Sequence, residues 1–242
     1  MIVVIRNFLI FLVDLFFKIF FSCNSKVQFS VNLEKAIGLY KNDGFGSLFA
    51  KIRAWDSPYD QINTYIPDKV KITDLGCGDG LLVNFLALSS KERKVYGIEI
   101  NKSRIEIANK GIPNTTFKQG DILKEKISSS DVYLLVHVFH HLPSYQDQKK
   151  LIENITRVSK KGQKIIILEI DSKPLLKYIF SWITDVITVP VLFNQKIFSS
   201  KIFYRNRQEW TRLLSKYGYK VRSKRIHKGM PFSHVLFVAT RK

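Results

Sequence analysis

Cysteine is nearly absent: Cys23 and Cys77 are the only two in 242 residues. Bridging them would distort a glycine-rich turn around Cys77, so neither a disulfide nor a metal site is expected. Acidic residues are scarce too, 20 against 39 Lys and Arg, leaving a net charge of +19. Such a surface attracts phosphates, whether of nucleic acid or of anionic lipid. No segment repeats, which excludes a solenoid, and the length fits one full-core domain with appendages. The most apolar stretch, Met1 to Phe21, is interrupted by Arg6, Asn7, Asp14 and Lys18. A spanning helix wants about 20 apolar residues with few charges. Asn7, Asp14 and Lys18 instead share one narrow helical stripe, the pattern of a helix lying in a membrane interface. A helix packed on the domain is the alternative.

What the chain does have is a dense cluster of glycines, in Lys69-Val-Lys-Ile-Thr-Asp-Leu-Gly-Cys-Gly-Asp-Gly80. A short β-prone run ends in Asp74, and Gly76, Gly78 and Gly80 then allow a tight turn where backbone can approach a ligand closely. Leu81 to Leu88 reads as the helix that follows. A dinucleotide fingerprint would space its glycines G-x-G-x-x-G with a pyrophosphate at the helix start. Here the spacing is G-x-G-x-G, and Asp74 and Asp79 flank the turn with negative charge that would repel a pyrophosphate. A ligand carrying a protonated amine and a sulfonium would be favoured.

Further pieces follow at suitable distances. Lys94 to Glu99 is a second strand ending in an acid roughly 20 residues after the turn, where a carboxylate can accept both hydroxyls of a ribose. Asn101 to Lys110 has helical periodicity, and Thr115 to Ile122 reads as a third strand running into Gly120 and Asp121. Asp131 to Val136 is nearly continuous in apolar residues, as expected of a strand covered on both faces. It ends in His137-Val-Phe-His-His-Leu-Pro143, beyond the carboxyl end of a strand, where ligand crevices of open α/β sheets lie. A helix over Gln148 to Val158, a strand over Gln163 to Ile170, a helix over Asn206 to Tyr217 and a hairpin of Tyr219 to Ile226 with His234 to Thr240 complete the pattern. The alternation predicts a doubly wound, Rossmann-like α/β sheet, mostly parallel with an antiparallel C-terminal hairpin strand.

The first motif, Asp74-Leu-Gly-Cys-Gly-Asp-Gly80, resembles the D-x-G-x-G-x-G of class I S-adenosylmethionine-dependent methyltransferases of small-molecule type, and the resemblance runs from about Ile62 to Lys242. It implies that Asp74, Gly76, Gly78 and Glu99 bind S-adenosyl-L-methionine, that Asp121 faces the adenine amino group, and that Ile122 lies against the ring. The strand-four ending is similar to the family's acid followed three residues later by His-His-Leu-Pro, with His137 where an acid is common. Ala50 to Tyr59 resembles an entry segment of some members, in which Arg53 would hold the cofactor carboxylate and Tyr59 would cover the site.

Histidine titrates near neutral pH, so His140, and after it His137, are the candidate general bases, with structural packing the competing role. Cys77 reads as a small packing residue. The resulting division is an apolar helix over 1–24, a linker and entry helices over 25–61, and a methyltransferase domain over 62–242 with an apolar insertion at 174–203. Phe180, Trp182, Ile183 and Ile187 in that insertion would line an acceptor pocket. Two apolar appendages point to a small hydrophobic acceptor, lipid-like, at a membrane surface, with the protein in the cytoplasm on the membrane's inner face.

The rival is an RNA methyltransferase, since residues 194–242 hold 13 Lys or Arg against the single Glu209. Against it, strand four lacks the Asn/Asp-Pro-Pro-aromatic ending of base-amine methyltransferases, and no RNA-binding module is recognisable. Tyr204 and Trp210 read as core. A non-catalytic, cofactor-binding partner protein is the third reading.

Overall fold

The computed structural model describes residues 28–43, 45–188, 202–226 and 232–242, together with 8, 10–12 and 15. Most of the apolar amino-terminal segment, the end of the insertion from 189 to 201, and the hairpin tip with Gly229 and Pro231 lie outside the described residues.

Seven strands form one sheet in the order β3-β2-β1-β4-β5-β7-β6. They are β1 Lys71–Leu75, β2 Lys94–Glu99, β3 Thr115–Gln119, β4 Val132–Val136, β5 Lys164–Ile170, β6 Tyr219–Ile226 and β7 His234–Arg241. β1 pairs in parallel with β2 and β4, β2 with β3 and β4 with β5, while β7 runs antiparallel between β5 and β6. The sheet is therefore wound outward in both directions from β1 and β4. The strand order reverses between those two, and a crevice opens at their carboxyl ends.

Alternation along the strands sorts side chains into two cores. Ile72, Val132, Leu134, Ile166, Leu168 and Leu236 face one side, and Tyr133, Leu135, Ile165, Ile167, Val235 and Phe237 the other. Burial of each such side chain contributes roughly 1.5–3 kcal/mol. The first core is covered by helices α1 Val31–Gly38, α2 Phe45–Asp56, α3 Tyr59–Asn63 and α4 Leu81–Ser89. The β2–β3 connection carries α5 Lys102–Ala108. The second core is covered by α6 Tyr145–Val158 and α8 Arg207–Lys216. Between β5 and α8 comes α7 Leu175–Ile183, which continues as a π turn over Thr184–Thr188.

Local chemistry sets the boundaries. Ser144 starts α6 by accepting from the Asp147 amide at 3.1 Å. At α8, Asn206 and Glu209 cap each other reciprocally, at 2.8 and 3.0 Å, an arrangement that contributes about 1 kcal/mol. β3 stops at Gln119, short of Ile122: Gly120 N gives the last amide bond to β2, at Glu99 O, and Asp121 then opens a turn in which its carbonyl accepts from the amides of Lys124 and Glu125. Residues 31–43, within the stretch whose polar composition reads as a linker, are helical as far as Gly38, and Leu33, Ala36, Ile37 and Tyr40 are buried in the first core. Trp210 is buried against Phe139, with ring centroids 4.7 Å apart.

Candidate active site

The turn after β1 is built from left-handed backbone: φ is +83° at Gly76, +56° at Gly78 and +74° at Gly80. A Cβ at Gly76 would come within 2.7 Å of the Val138 side chain, and one at Gly78 within 2.6 Å of Arg104. The amides of Gly76 and Cys77 donate to Ile98 O at 2.8 and 3.0 Å, folding the turn over β2. Gly78 N donates to Glu99 Oε2 at 3.1 Å, and Asn101 N to Glu99 Oε1 at 3.0 Å. Glu99 is thus clamped at the end of β2, and each oxygen keeps a lone pair for a further donor.

Asp74 is the electrostatic centre of this turn. It is buried, and its Oδ1 has no hydrogen-bond partner among the described residues. Burial first, and then the neighbouring charge of Glu99, push its carboxyl up to about 7, with Arg53 opposing them. Asp79 is paired with Arg104 at 2.7 Å. Its carbonyl accepts from the Tyr40 hydroxyl at 2.6 Å, and Asn84 Nδ2 donates to that hydroxyl at 2.9 Å. Burial pushes the Tyr40 phenol well above its ordinary range, so it stays a donor. Tyr40 and Asn84 thereby brace the turn, a role sequence reasoning missed; the available sign was a tyrosine at the end of a short amphipathic stretch.

Asp121 accepts from Leu123 N at 3.0 Å through Oδ1 and has Lys124 Nζ 3.3 Å from Oδ2, while Ile122 is buried against the second core. Arg53 lies 3.9 Å from Asp56 and over the Phe49 ring. Tyr59 is buried, and its hydroxyl is pushed up to about 12 by that burial.

His140 is buried, with Nδ1 2.5 Å from Glu169 Oε2 and Nε2 3.6 Å from Asp185 Oδ2. Burial alone would lower its pKa; the Glu169 carboxylate outweighs that and raises it, helped by Asp185. Glu169 Oε1 also accepts from Phe139 N at 2.8 Å and Val138 N at 3.2 Å, which locks the turn after β4. Tyr204 stacks on His140 and donates to Asp185 at 2.6 Å. Glu169 and Asp185 were not among the residues singled out from sequence, although an acid at the carboxyl end of the apolar fifth strand was a visible sign.

His137 has φ +57°, the one non-glycine residue described in the left-handed region, where functional strain collects. It is half-covered as a residue, but its side chain is buried, and burial followed by the charges of His234 and Arg53 holds its pKa well below 6.5. Its ring lies 4.7 Å from that of His234, and its Nε2 is 3.4 Å from Ser57 Oγ and 3.9 Å from Asp56. His234 and Asp56 complete a buried group that nothing in the sequence spacing announces.

A doubly wound sheet with an acidic, glycine-walled turn at its switch point defines the class I S-adenosylmethionine-dependent methyltransferase fold. A family model described as "Methyltransferase domain" matches residues 66–218, and the chain belongs to that family. It is 33% identical over 97 residues to a protein of Invertebrate iridescent virus 6 named "Putative methyltransferase 235L", a match spanning 40% of this chain and 36% of that relative. Among solved structures it is similar in fold to a SAM-dependent methyltransferase from Methanosarcina mazei, with a TM-score of 0.58 and 21% identity, over 76% of this chain and 97% of that one. It is likewise similar to magnesium protoporphyrin IX methyltransferase from Synechocystis PCC 6803 with bound SAH, with a TM-score of 0.60 and 15% identity, over 87% of this chain and 100% of that one. S-adenosylmethionine is the cofactor of the domain.

Proposed function

We propose that the chain transfers the methyl group of S-adenosylmethionine to a small hydrophobic acceptor at a membrane surface. The observation that carries the cofactor side of the reading is Asp74 Oδ1, a buried carboxylate oxygen with no partner among the described residues, beside a turn of three left-handed glycines. An unpaired buried carboxylate is costly unless a cation or donor meets it, and the cofactor brings an ammonium and an electrophilic methyl on a sulfonium. In this reading Asp74 attracts those charges, Gly76 and Gly78 let the backbone approach, and Glu99 accepts the ribose hydroxyls. Asp121 takes the adenine amine, Ile122 packs on the ring, and Arg53 meets the cofactor carboxylate.

His140 is the first candidate base. Glu169 holds its Nδ1, so the proton-accepting atom is Nε2, on the side of Asp185 and the apolar insertion. His137 is the second candidate. The acceptor's apolar character is supported by α7, whose Leu175, Leu176, Ile179, Phe180, Trp182 and Ile183 are all exposed. In the amino-terminal segment Phe8, Phe11, Leu12 and Leu15 are exposed as well, and no helix among the described residues is long and apolar enough to cross a membrane. A protein peripheral to the membrane, held by these surfaces and by its +19 charge, accounts for both.

The test is methyl incorporation from radiolabelled S-adenosylmethionine into a lysate of the source cells, partitioned between organic solvent and water. Label in the organic phase is expected. Aqueous, ribonuclease-sensitive label would overturn the acceptor class and promote RNA, to which the basic carboxyl-terminal segment is suited. No incorporation despite cofactor binding would leave a non-catalytic partner protein.

A further inference from the structure

We propose that Asp56, His137 and His234 form a binding site for a divalent transition-metal ion, Zn²⁺ by donor preference, beside the cofactor crevice. The proposal goes beyond methyl transfer and does not depend on it. Three separate elements converge on the spot: Asp56 ends α2, His137 follows β4, and His234 opens β7, where it pairs with Ile170 at the carboxyl end of β5. Asp56 Oδ2 lies 3.9 Å from His137 Nε2, and Asp56 Oδ1 lies 3.7 Å from His234 Nδ1. One donor atom from each of the three falls within 4.8 Å of the others.

These distances are too long for direct hydrogen bonds and close to those of a coordination shell. Zinc bonds to nitrogen and oxygen of about 2.0–2.2 Å in tetrahedral geometry separate ligand atoms by roughly 3.4 Å. Side-chain shifts of about an ångström or less would close the shell.

The second observation is independent of that spacing. Asp56 Oδ1 and His234 Nδ1 are both buried with no hydrogen-bond partner among the described residues, and His234 is only 1% exposed. Each such orphan costs about 1–3 kcal/mol, and two of them face each other. Backbone strain at His137, with φ +57°, is spent on the same spot. A metal ion would satisfy both orphans and use that turn. Two imidazole nitrogens and one carboxylate oxygen suit zinc and its transition-metal neighbours rather than magnesium, which prefers oxygen alone. Three protein ligands also leave a coordination position for water or an acceptor oxygen. With the ion bound, His137 serves the metal and not proton transfer.

Neighbouring charge works both ways: Arg53 lies 3.9 Å from Asp56 Oδ2 and opposes a cation, while Asp185 and Glu169 act on His234 in the opposite sense. A second grouping, His140, His141 and Asp185, also brings ligand atoms together. There Asp185 Oδ2 already accepts from the Tyr204 hydroxyl, and no atom of that grouping is among the buried groups without a hydrogen-bond partner, so the ion is assigned to the first.

The test is Zn²⁺ titration by calorimetry into the full chain stripped with chelator, with Co²⁺ absorption as the ligand-field readout. One equivalent is expected, with affinity falling roughly 100-fold or more in His234→Ala and in the isosteric Asp56→Asn, and with the Co²⁺ bands lost in both. S-adenosylmethionine binding, measured on the same samples, reports that each variant is folded; should His234→Ala fail to fold, Asp56→Asn decides. Absence of stoichiometric Zn²⁺ binding by the wild type, or wild-type Zn²⁺ affinity in the folded variants, overturns the site. Neither result bears on the methyl-transfer reading, which stands or falls with label incorporation.

Discussion

Asp74 is a carboxyl that the fold holds out of water, with one oxygen unpartnered among the described residues. Its pKa of about 7, raised by burial and by Glu99, means that the folded protein keeps a proton there which the unfolded chain gives up near pH 4. Stability from this group is therefore greatest in acid and falls as pH rises from about 4 to about 7, a burden of about 4 kcal/mol once both states are ionised. Asp74→Asn should remove that slope and raise the melting temperature of the ligand-free protein at pH 8, while weakening cofactor binding by tenfold or more. Binding of a cationic ligand needs the ionised form, so wild-type affinity should fall by up to tenfold per pH unit below about 7. Calorimetry from about pH 6 to pH 8 checks both; a flat affinity profile, or an Asn variant that binds as well as wild type, would remove Asp74 from the cofactor site. For His140 the expected division is different: His140→Ala should lower turnover far more than cofactor affinity. Equal turnover in variant and wild type would remove it as a base.

At the scale of elements, the junction from β1 to α4 is the place where sequence and structure inform each other most. Gly80 adopts φ +74°, and an added Cβ would meet Ala108 Cβ at 2.6 Å and its backbone Cα at 3.0 Å. Gly111 has nearly the same φ, +70°, with nothing within 4 Å. Both substitutions to Ala carry the left-handed penalty of roughly 1–2 kcal/mol, and Gly80→Ala adds the clash between the turn and α5. Urea midpoints should therefore fall more for Gly80→Ala than for Gly111→Ala; equal losses would show that close packing at Gly80 is not needed. That turn was legible because glycine spacing and flanking acids are written in consecutive residues. β4 was legible for a related reason, since a strand buried on both faces must be an apolar run, and Val132 to Val136 is one. α1 was not, because an eight-residue helix with Glu34 and Lys35 exposed between Leu33 and Ala36 shows too few turns for its period to stand out. Asp56, His137 and His234 were illegible as a group, since tertiary folding alone joins three elements so far apart in sequence. Among them, His137 stood out by replacing an acid in the strand-four pattern. Glu169 sat in plain view at the end of β5, but its partnership with His140 depends on how β4 and β5 pair, which only the sheet register fixes.

Over the whole molecule, apolar exposure and positive charge are the two surface properties that a membrane can read together. On α7, Leu176 is 82% and Leu175 65% exposed, and each leucine moved from water into the acyl boundary contributes roughly 1.5–3 kcal/mol. Basic residues near an anionic surface add about 1 kcal/mol each, a part that salt removes. Two contributions of different salt dependence can be separated by flotation with anionic vesicles. At low salt the full chain should float, and Leu175→Glu with Leu176→Glu should reduce the bound fraction by tenfold or more. Deleting residues 1–21 should release the protein, with the loss complete in high salt, where the remaining charge attraction is screened. A truncated protein that still floats in high salt would show that the amino-terminal segment is not the anchor, and would transfer that role to α7. Unchanged flotation in both the truncated and the double-glutamate proteins would leave charge alone as the attraction, and high salt would then release all three forms equally. Where either apolar surface is the anchor, the hydrophobic acceptor has a physical route to the crevice, since a domain held at the interface meets lipid-soluble molecules at their membrane concentration and not at their far smaller concentration in water.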